Sequence, residues 1–249
     1  MRILLFILLF YSNTLFAQPL RIAVASNFYH TIKLIKAAYQ KIYPVKIDLI
    51  SGSTGKLFAQ IQHGAPYDIF LAADVIRPEK LEQSGFTVAA TRNTYAIGQL
   101  VFYSKTKAVN DINAIIKSMD YQKIAIANPK TAPYGNAAVE TLKSLNLYQT
   151  IKTKLVFGEN IAQTFQFVQS ASADYGFVAL AQIKALNERN DKKEQGNYAI
   201  IPHNLYAPVK QQLVLLKSSN SKKRAMNFLR FMKLDSTKTI IKNQGYTLP

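Results

Sequence analysis

The chain has 249 residues, with 31 lysines and arginines against 14 aspartates and glutamates, three histidines and no cysteine. The lack of cysteine excludes disulfides and thiolate metal sites, and the formal net charge of +17 raises nucleic acid or an anionic membrane as partners. The positions of the basic residues argue against such partners: Lys33, Lys36, Lys41, Lys143 and Lys184 are spread over polar faces of expected helices, and the densest run, Lys222-Lys223-Arg224, opens a C-terminal helix. The expected picture is a solvated basic surface with a long-range attraction for small anions.

Met1-Arg2, an apolar run from Ile3 to Tyr11, and Ser12 to Ala17 with a small residue at the cut describe a secretory signal peptide over residues 1–17, cut after Ala17. The apolar run is much shorter than the roughly 20 residues that span a bilayer. What remains is long enough for one large domain or two medium lobes. An exported chain without disulfides fits a bacterial periplasm.

Leu20 to Ser26 reads as a strand ending in small residues, and a helix follows with apolar residues at Phe28, Ile32, Ile35, Tyr39 and Ile42. Ser26 and Asn27 are N-cap types for it, and Pro44 ends it. Val45 to Ile50 is a second strand, leading into a Ser51–Gly55 turn and a helix with Leu57, Phe58 and Ile61. Tyr67 to Ala72 is nearly all apolar, as in a parallel sheet covered on both faces. This βαβαβ order predicts a doubly wound α/β lobe, with ligands beyond the carboxyl ends of the strands.

Leu100 to Tyr103 is a further strand, after which the pattern starts again. A helix over Asp111 to Met119 precedes a strand at Lys123 to Ala127, and a Pro-rich loop from Asn128 to Gly135 leads to a helix with Ala138, Leu142 and Leu145. Strands at Leu155 to Phe157 and Tyr175 to Leu180 bracket a helix with Ile161, Phe165 and Val168. The polar stretch Asn187 to Asn197 reads as a solvated insertion, followed by strands at Tyr198 to Ile201 and Val209 to Lys217 and a helix from Ser221 to Met232. The expected division is residues 18–99 with 206–249 in one lobe and 100–205 in the other.

Four strand-to-helix junctions share one character: Ser26-Asn27, Ser53-Thr54-Gly55, Pro133-Tyr134-Gly135 and Asn160-Ile161. Each presents unpaired N–H groups at a helix start. A helix start carries roughly half a positive charge, so four converging starts would match a dianion without a lysine or arginine. Enzyme motifs fail. Gly55-Lys56 lacks the P-loop glycine, since position 50 is Ile50, and Leu57 stands where Ser or Thr is needed. His30, His63 and His203 have no carboxylates at ligand spacing, Ser53 is not in a nucleophile elbow, and Asp68 and Asp74 read as caps and sheet-edge partners.

AVASNF at 23–28, the block from Gly52 to Asp74 (GSTGKL, QI, GAP, D, F, AAD), Pro133-Tyr134-Gly135, Gly158-Glu159-Asn160-Ile161, YGFVAL and the terminal GYTLP resemble the molybdate-binding periplasmic proteins of bacterial ABC importers. The similarity runs along nearly the whole chain after residue 17. It implies the type II periplasmic binding fold: two doubly wound α/β lobes, two crossover strands, and a ligand in the cleft.

The resemblance further implies a non-enzymatic receptor with no cofactor. Molybdate or tungstate would be captured in the periplasm by a soluble monomer and delivered to a membrane permease. Ser26, Asn27, Ser53 and Thr54 carry over as first-lobe ligands, and the amides of Tyr134 and Ile161 as second-lobe ligands, the metal entering only as the oxyanion. Some members add a tyrosine hydroxyl where this chain has Ala179, a contact that Asn27 would take over. Lys56 is expected to point to solvent. Alternatives are a receptor for sulfate or phosphate, a secreted hydrolase using Ser53 or Ser26, and a basic protein binding nucleic acid or anionic lipid.

Overall fold

The structure, a computed structural model, describes residues 18–188 and 196–249. The expected signal peptide and residues 189–195 of the polar stretch lie outside those residues.

The first half runs β1 (Leu20–Ala25), α1 (Tyr29–Gln40), β2 (Ile47–Gly52), α2 (Thr54–Gln62), β3 (Ile69–Leu71), α3 (Ile76–Gln83) and β4 (Asn93–Gly98). The second runs β5 (Leu100–Ser104), α4 (Ile112–Ser118), β6 (Ile124–Ala127), α5 (Pro133–Ser144), α6 (Tyr148–Ile151), β7 (Leu155–Gly158), α7 (Ile161–Gln169), β8 (Tyr175–Ala179), α8 (Leu180–Asn187) and β9 (Asn197–Ile200). The chain closes with β10 (Val209–Leu215), α9 (Lys222–Met232) and α10 (Asp235–Asn243).

Two five-stranded sheets result, in the orders β2-β1-β3-β10-β4 and β7-β6-β8-β5-β9, one in each lobe of a two-lobed α/β fold. Both follow one plan. Three strands run parallel, and the remaining two are added antiparallel. The sheets are therefore mixed, and β3, expected in a parallel sheet, has β1 parallel on one side and β10 antiparallel on the other.

The period-2 alternation of strand side chains divides each lobe's core in two. From β1, Leu20, Ile22 and Val24 join Ile32 and Tyr39 of α1, Phe228 of α9 and Ile241 of α10. The intervening Ala23 faces Leu57 and Ile61 of α2 and Leu81 of α3. In the second sheet, Phe102 and Phe177 pack with Leu142 of α5, whereas Val101 and Val178 pack with Val168 of α7 and Ile183 of α8. Helices thus cover both faces, which is why the strands read as nearly continuous apolar runs.

The chain crosses between lobes twice. Gln99 alone separates β4 from β5, and the return runs between β9 and β10 with a 3-10 turn at His203–Leu205. The crossings touch where the Gln99 amide meets His203 Nε2 at 3.3 Å.

Three local expectations are corrected. Ser51 and Gly52 are not turn residues, because β2 keeps pairing with Val24 and Ala25 to the end of β1. Ser26 and Asn27 do not cap α1: residues Ser26–Phe28 form a 3-10 turn, and α1 starts at Tyr29 without a side-chain cap. Helices α3, α6, α8 and α10 escape the pattern reading. In α3 only Pro78 and Leu81 are buried, and in α10 only Thr237 and Ile241, so each is a short helix with a narrow buried edge.

Close packing of α5 on β6 depends on Gly135. A Cβ there would lie 2.0 Å from the Ala127 carbonyl oxygen. Gly135→Ala should therefore destabilise the protein by about 3 kcal/mol through overpacking against backbone, read as a lower urea midpoint at unchanged slope.

Candidate functional site

One small cavity lies where the carboxyl ends of β1 and β2 face the starts of α5 and α7. Its lining is Ala25, Ser26 and Asn27; Gly52, Ser53 and Thr54; Ala73; Ala132, Pro133 and Tyr134; and Asn160 and Ile161. All four junctions singled out in the sequence contribute, two from each sheet. The cavity is small, about 190 Å³ of space between atoms with its open mouth included. It suits a ligand of a few heavy atoms. Among the described residues no lysine, arginine or histidine lines it.

The donors follow from how each helix starts. Pro133 opens α5 and has no N–H, and Gly135 N–H donates to Ala132 O, leaving the Tyr134 N–H. At α7, the Asn160 side chain accepts from Ala162 N at 2.9 Å and Gln163 N at 3.1 Å, leaving the N–H of Ile161. At α2, Ser53 is the N-cap but makes no side-chain cap bond. Among the described residues none accepts from the N–H groups of Asn27, Thr54, Tyr134 or Ile161. Three α-helix starts supply about +1.5 charge equivalents, and the 3-10 turn at Ser26 adds further N–H dipoles.

Two hydroxyls of the site differ in state. Ser53 Oγ is fully buried and has no hydrogen-bond partner among the described residues, an arrangement that costs about 1–3 kcal/mol unless a ligand answers it. Thr54 Oγ1 accepts from Ala73 N at 3.1 Å and keeps its proton to donate. Ser26 is buried on the cavity wall.

Asn27 departs from expectation. Its Nδ2 donates to Gln211 Oε1 at 2.8 Å and to Tyr246 Oη at 3.2 Å. Both amide protons are thus used away from the cavity, so the side chain does not replace a tyrosine contact at Ala179, and its backbone N–H is the group left for a ligand. The Tyr246 hydroxyl donates back to Asn27 O at 2.8 Å. Tyr95 Oη lies 3.1 Å from both Ala72 O and Gln211 Oε1 and shares its one proton between them. This layer of Tyr95, Gln211 and Tyr246 behind the cavity was not found from the sequence. GYTLP reads only as a motif, and both glutamines of VKQQLVL are buried, with nothing in the sequence marking Gln211 as the one behind the cavity.

Burial pushes the phenols of Tyr95, Tyr134 and Tyr246 well above the usual tyrosine range, reinforced for Tyr95 and Tyr134 by the proximity of Tyr246. They stay neutral, so no fixed negative charge sits behind the N–H donors.

The lobes meet around the cavity. Gly55 N–H donates to Thr131 O at 2.9 Å, and Arg77 Nη2 donates to Lys130 O at 3.1 Å. Lys56 does not simply point to solvent: its Nζ lies 2.7 Å from Glu159 Oε1, an ion pair between lobes about half exposed on each side and so worth at most about 1 kcal/mol. On the far side His30 Nε2 meets Glu188 Oε2 at 2.8 Å. His63 bonds Ala59 O, Asp68 accepts from Arg21 N and Ser219 Oγ, and Asp74 pairs with Arg77, in keeping with structural roles.

Residues 20–247 match the family model described as bacterial extracellular solute-binding protein. The chain is 41% identical to the molybdate-binding protein ModA of Azotobacter vinelandii, over 93% of this chain and 91% of that one. It is 38% identical to ModA of Rhodobacter capsulatus, over 90% and 86%. The solved periplasmic molybdate-binding protein of Azotobacter vinelandii superposes with a TM-score of 0.87 at 36% identity, over 92% of this chain and 99% of that one. The chain belongs to the bacterial extracellular solute-binding proteins, in the group of the molybdate-binding proteins.

The buried phenols give a pH signature. Their native-state pKa values are raised, so the unfolded chain loses these protons first as pH rises through about 10. Stability from this layer is complete below pH 10 and should fall above it, approaching about 1.4 kcal/mol per pH unit per phenol. Urea unfolding across alkaline pH checks this, and Tyr246→Phe should flatten the slope.

Proposed function

We propose that this chain is the receptor of a molybdate or tungstate importer: it takes the oxyanion from the periplasm between its two lobes and presents it to the membrane permease of an ABC transporter. It is a binding protein, not an enzyme, and needs no cofactor. Molybdenum or tungsten enters only as the oxyanion. The observation that carries this reading is the convergence of four helix or turn starts on one small cavity without a cationic side chain. The molybdate-binding relatives support the choice of ligand.

In this reading Ser26 and Ser53 donate hydroxyl protons, Thr54 donates its hydroxyl and N–H, and Asn27, Tyr134 and Ile161 donate backbone N–H groups. Hydrogen bonds to a charged acceptor contribute about 1.5–3 kcal/mol each. The lobes are residues 18–99 with 206–249, and 100–205. Strand membership of the two sheets supports that division. The receptor works as a monomer after a signal peptide is removed behind Ala17. A hydrolase is disfavoured because no histidine lines the cavity to serve Ser26 or Ser53 as base.

Thermal unfolding with molybdate, tungstate, sulfate and phosphate tests the ligand. At about 100 times its dissociation constant a ligand adds about 2.7 kcal/mol. Molybdate and tungstate should raise the melting temperature at far lower concentrations than sulfate or phosphate, and no response to the first two would refute the reading. Ser53→Ala should weaken molybdate binding by about 2 kcal/mol, as for a lost bond to a charged acceptor, while leaving the ligand-free protein equally or slightly more stable. Thr54→Val should weaken binding more than Lys56→Ala does. The reverse order, read by calorimetry, would assign the anion to the lysine charge.

A further inference from the structure

Gln211 sits on β10, close after the second crossing, and is completely buried. A buried amide on a sheet strand is costly unless its groups are bonded, and Gln211 bonds outward in three directions. Its Oε1 accepts from Asn27 Nδ2 and Tyr95 Oη, and its Nε2 reaches Tyr134 Oη at 3.4 Å. Asn27 and Tyr134 are the residues that offer backbone N–H groups to the cavity from the first and the second sheet. Their side chains turn away from the cavity and meet on this one glutamine.

The approach is possible because the first crossing makes room. A Cβ at Gly98 would lie 2.0 Å from Tyr134 Oη and 2.7 Å from Gln211 Nε2. The phenol of Tyr134 therefore passes from α5 to the point where both crossings run, with its hydroxyl over Gly98 and against Gln211.

We propose that Gln211 is a positioning residue for oxyanion selection: by holding the side chains of Asn27 and Tyr134 together it sets the distance between the amides that these two residues present from opposite lobes. The proposal rests on the oxyanion reading above. Sulfate and molybdate share charge and shape and differ in size, so the separation of opposed donors decides between them. The layer that sets the separation is neutral, because burial keeps its phenols protonated.

Calorimetric titration of molybdate, with sulfate measured by competition, tests this in the wild type, Gln211→Leu, Tyr134→Phe and the double variant. Tyr134→Phe keeps the ring and the N–H and removes only the hydroxyl that meets Gln211. Each single change should weaken molybdate by about tenfold, the size of one lost hydrogen bond, and sulfate much less, so that the molybdate-to-sulfate ratio falls. The double variant should be no worse than Gln211→Leu alone, since both act along one path. A purely structural role predicts a lower melting temperature of the ligand-free protein with an unchanged ratio. An unchanged ratio in folded Tyr134→Phe overturns the proposal even if Gln211→Leu does not fold. A wild type that binds no molybdate overturns instead the reading on which the proposal rests.

Discussion

An anion enclosed without a cationic side chain must be met by hydrogen-bond donors that have nothing else to do. In a folded chain such donors are scarce, because nearly every buried N–H is already paired. The first turn of a helix is the systematic exception. The architecture follows from that constraint. Each lobe uses parallel strands with covering helices, which places helix starts at the carboxyl ends of the strands. The two lobes then turn those ends toward each other, so that Ser26-Asn27 and Ser53-Thr54 face Tyr134 and Ile161 across about 190 Å³ of space.

The division of labour within each junction is equally constrained. Asn160 uses its side chain on Ala162 and Gln163 and so leaves the preceding N–H to the cavity. Pro133 removes a donor at the first position of its helix and makes Tyr134 the presenting residue. Ser53 does the opposite of a cap: its hydroxyl is withheld from its own helix and left buried without a partner among the described residues. The formal charge of +17 is carried by other residues, so attraction at a distance and recognition at contact rest on separate groups.

Much of this was legible because it is local. Strand, small polar residues and helix recur at fixed spacing in each junction, and the N-cap roles of Asp111 and Asn160 follow from residue type. What was hidden depends on contacts distant in sequence. Ser51 and Gly52 look like a turn until β1 is seen to pair with them. Asn27 looks like a ligand side chain until Gln211 and Tyr246, roughly two hundred residues away, are seen to take both of its amide protons. Lys56 is an ordinary exposed lysine until Glu159 of the other lobe arrives beside it. Helices α3 and α10 escape the pattern reading because few of their residues are buried, Pro78 and Leu81 in α3 and Thr237 and Ile241 in α10.

The position of β10 bears on how the protein is made. In the first sheet it lies between β3 and β4, so these two strands have no common edge until residues 209–215 are in place. A chain cut short before that point would carry two unpaired strand edges, the apolar IFL of β3 among them, in the form that invites pairing with other copies. Closing the sheet also joins segments far apart in sequence, which slows folding. The first sheet is therefore the last to be completed, and the N-terminal half of the chain cannot finish its own sheet alone.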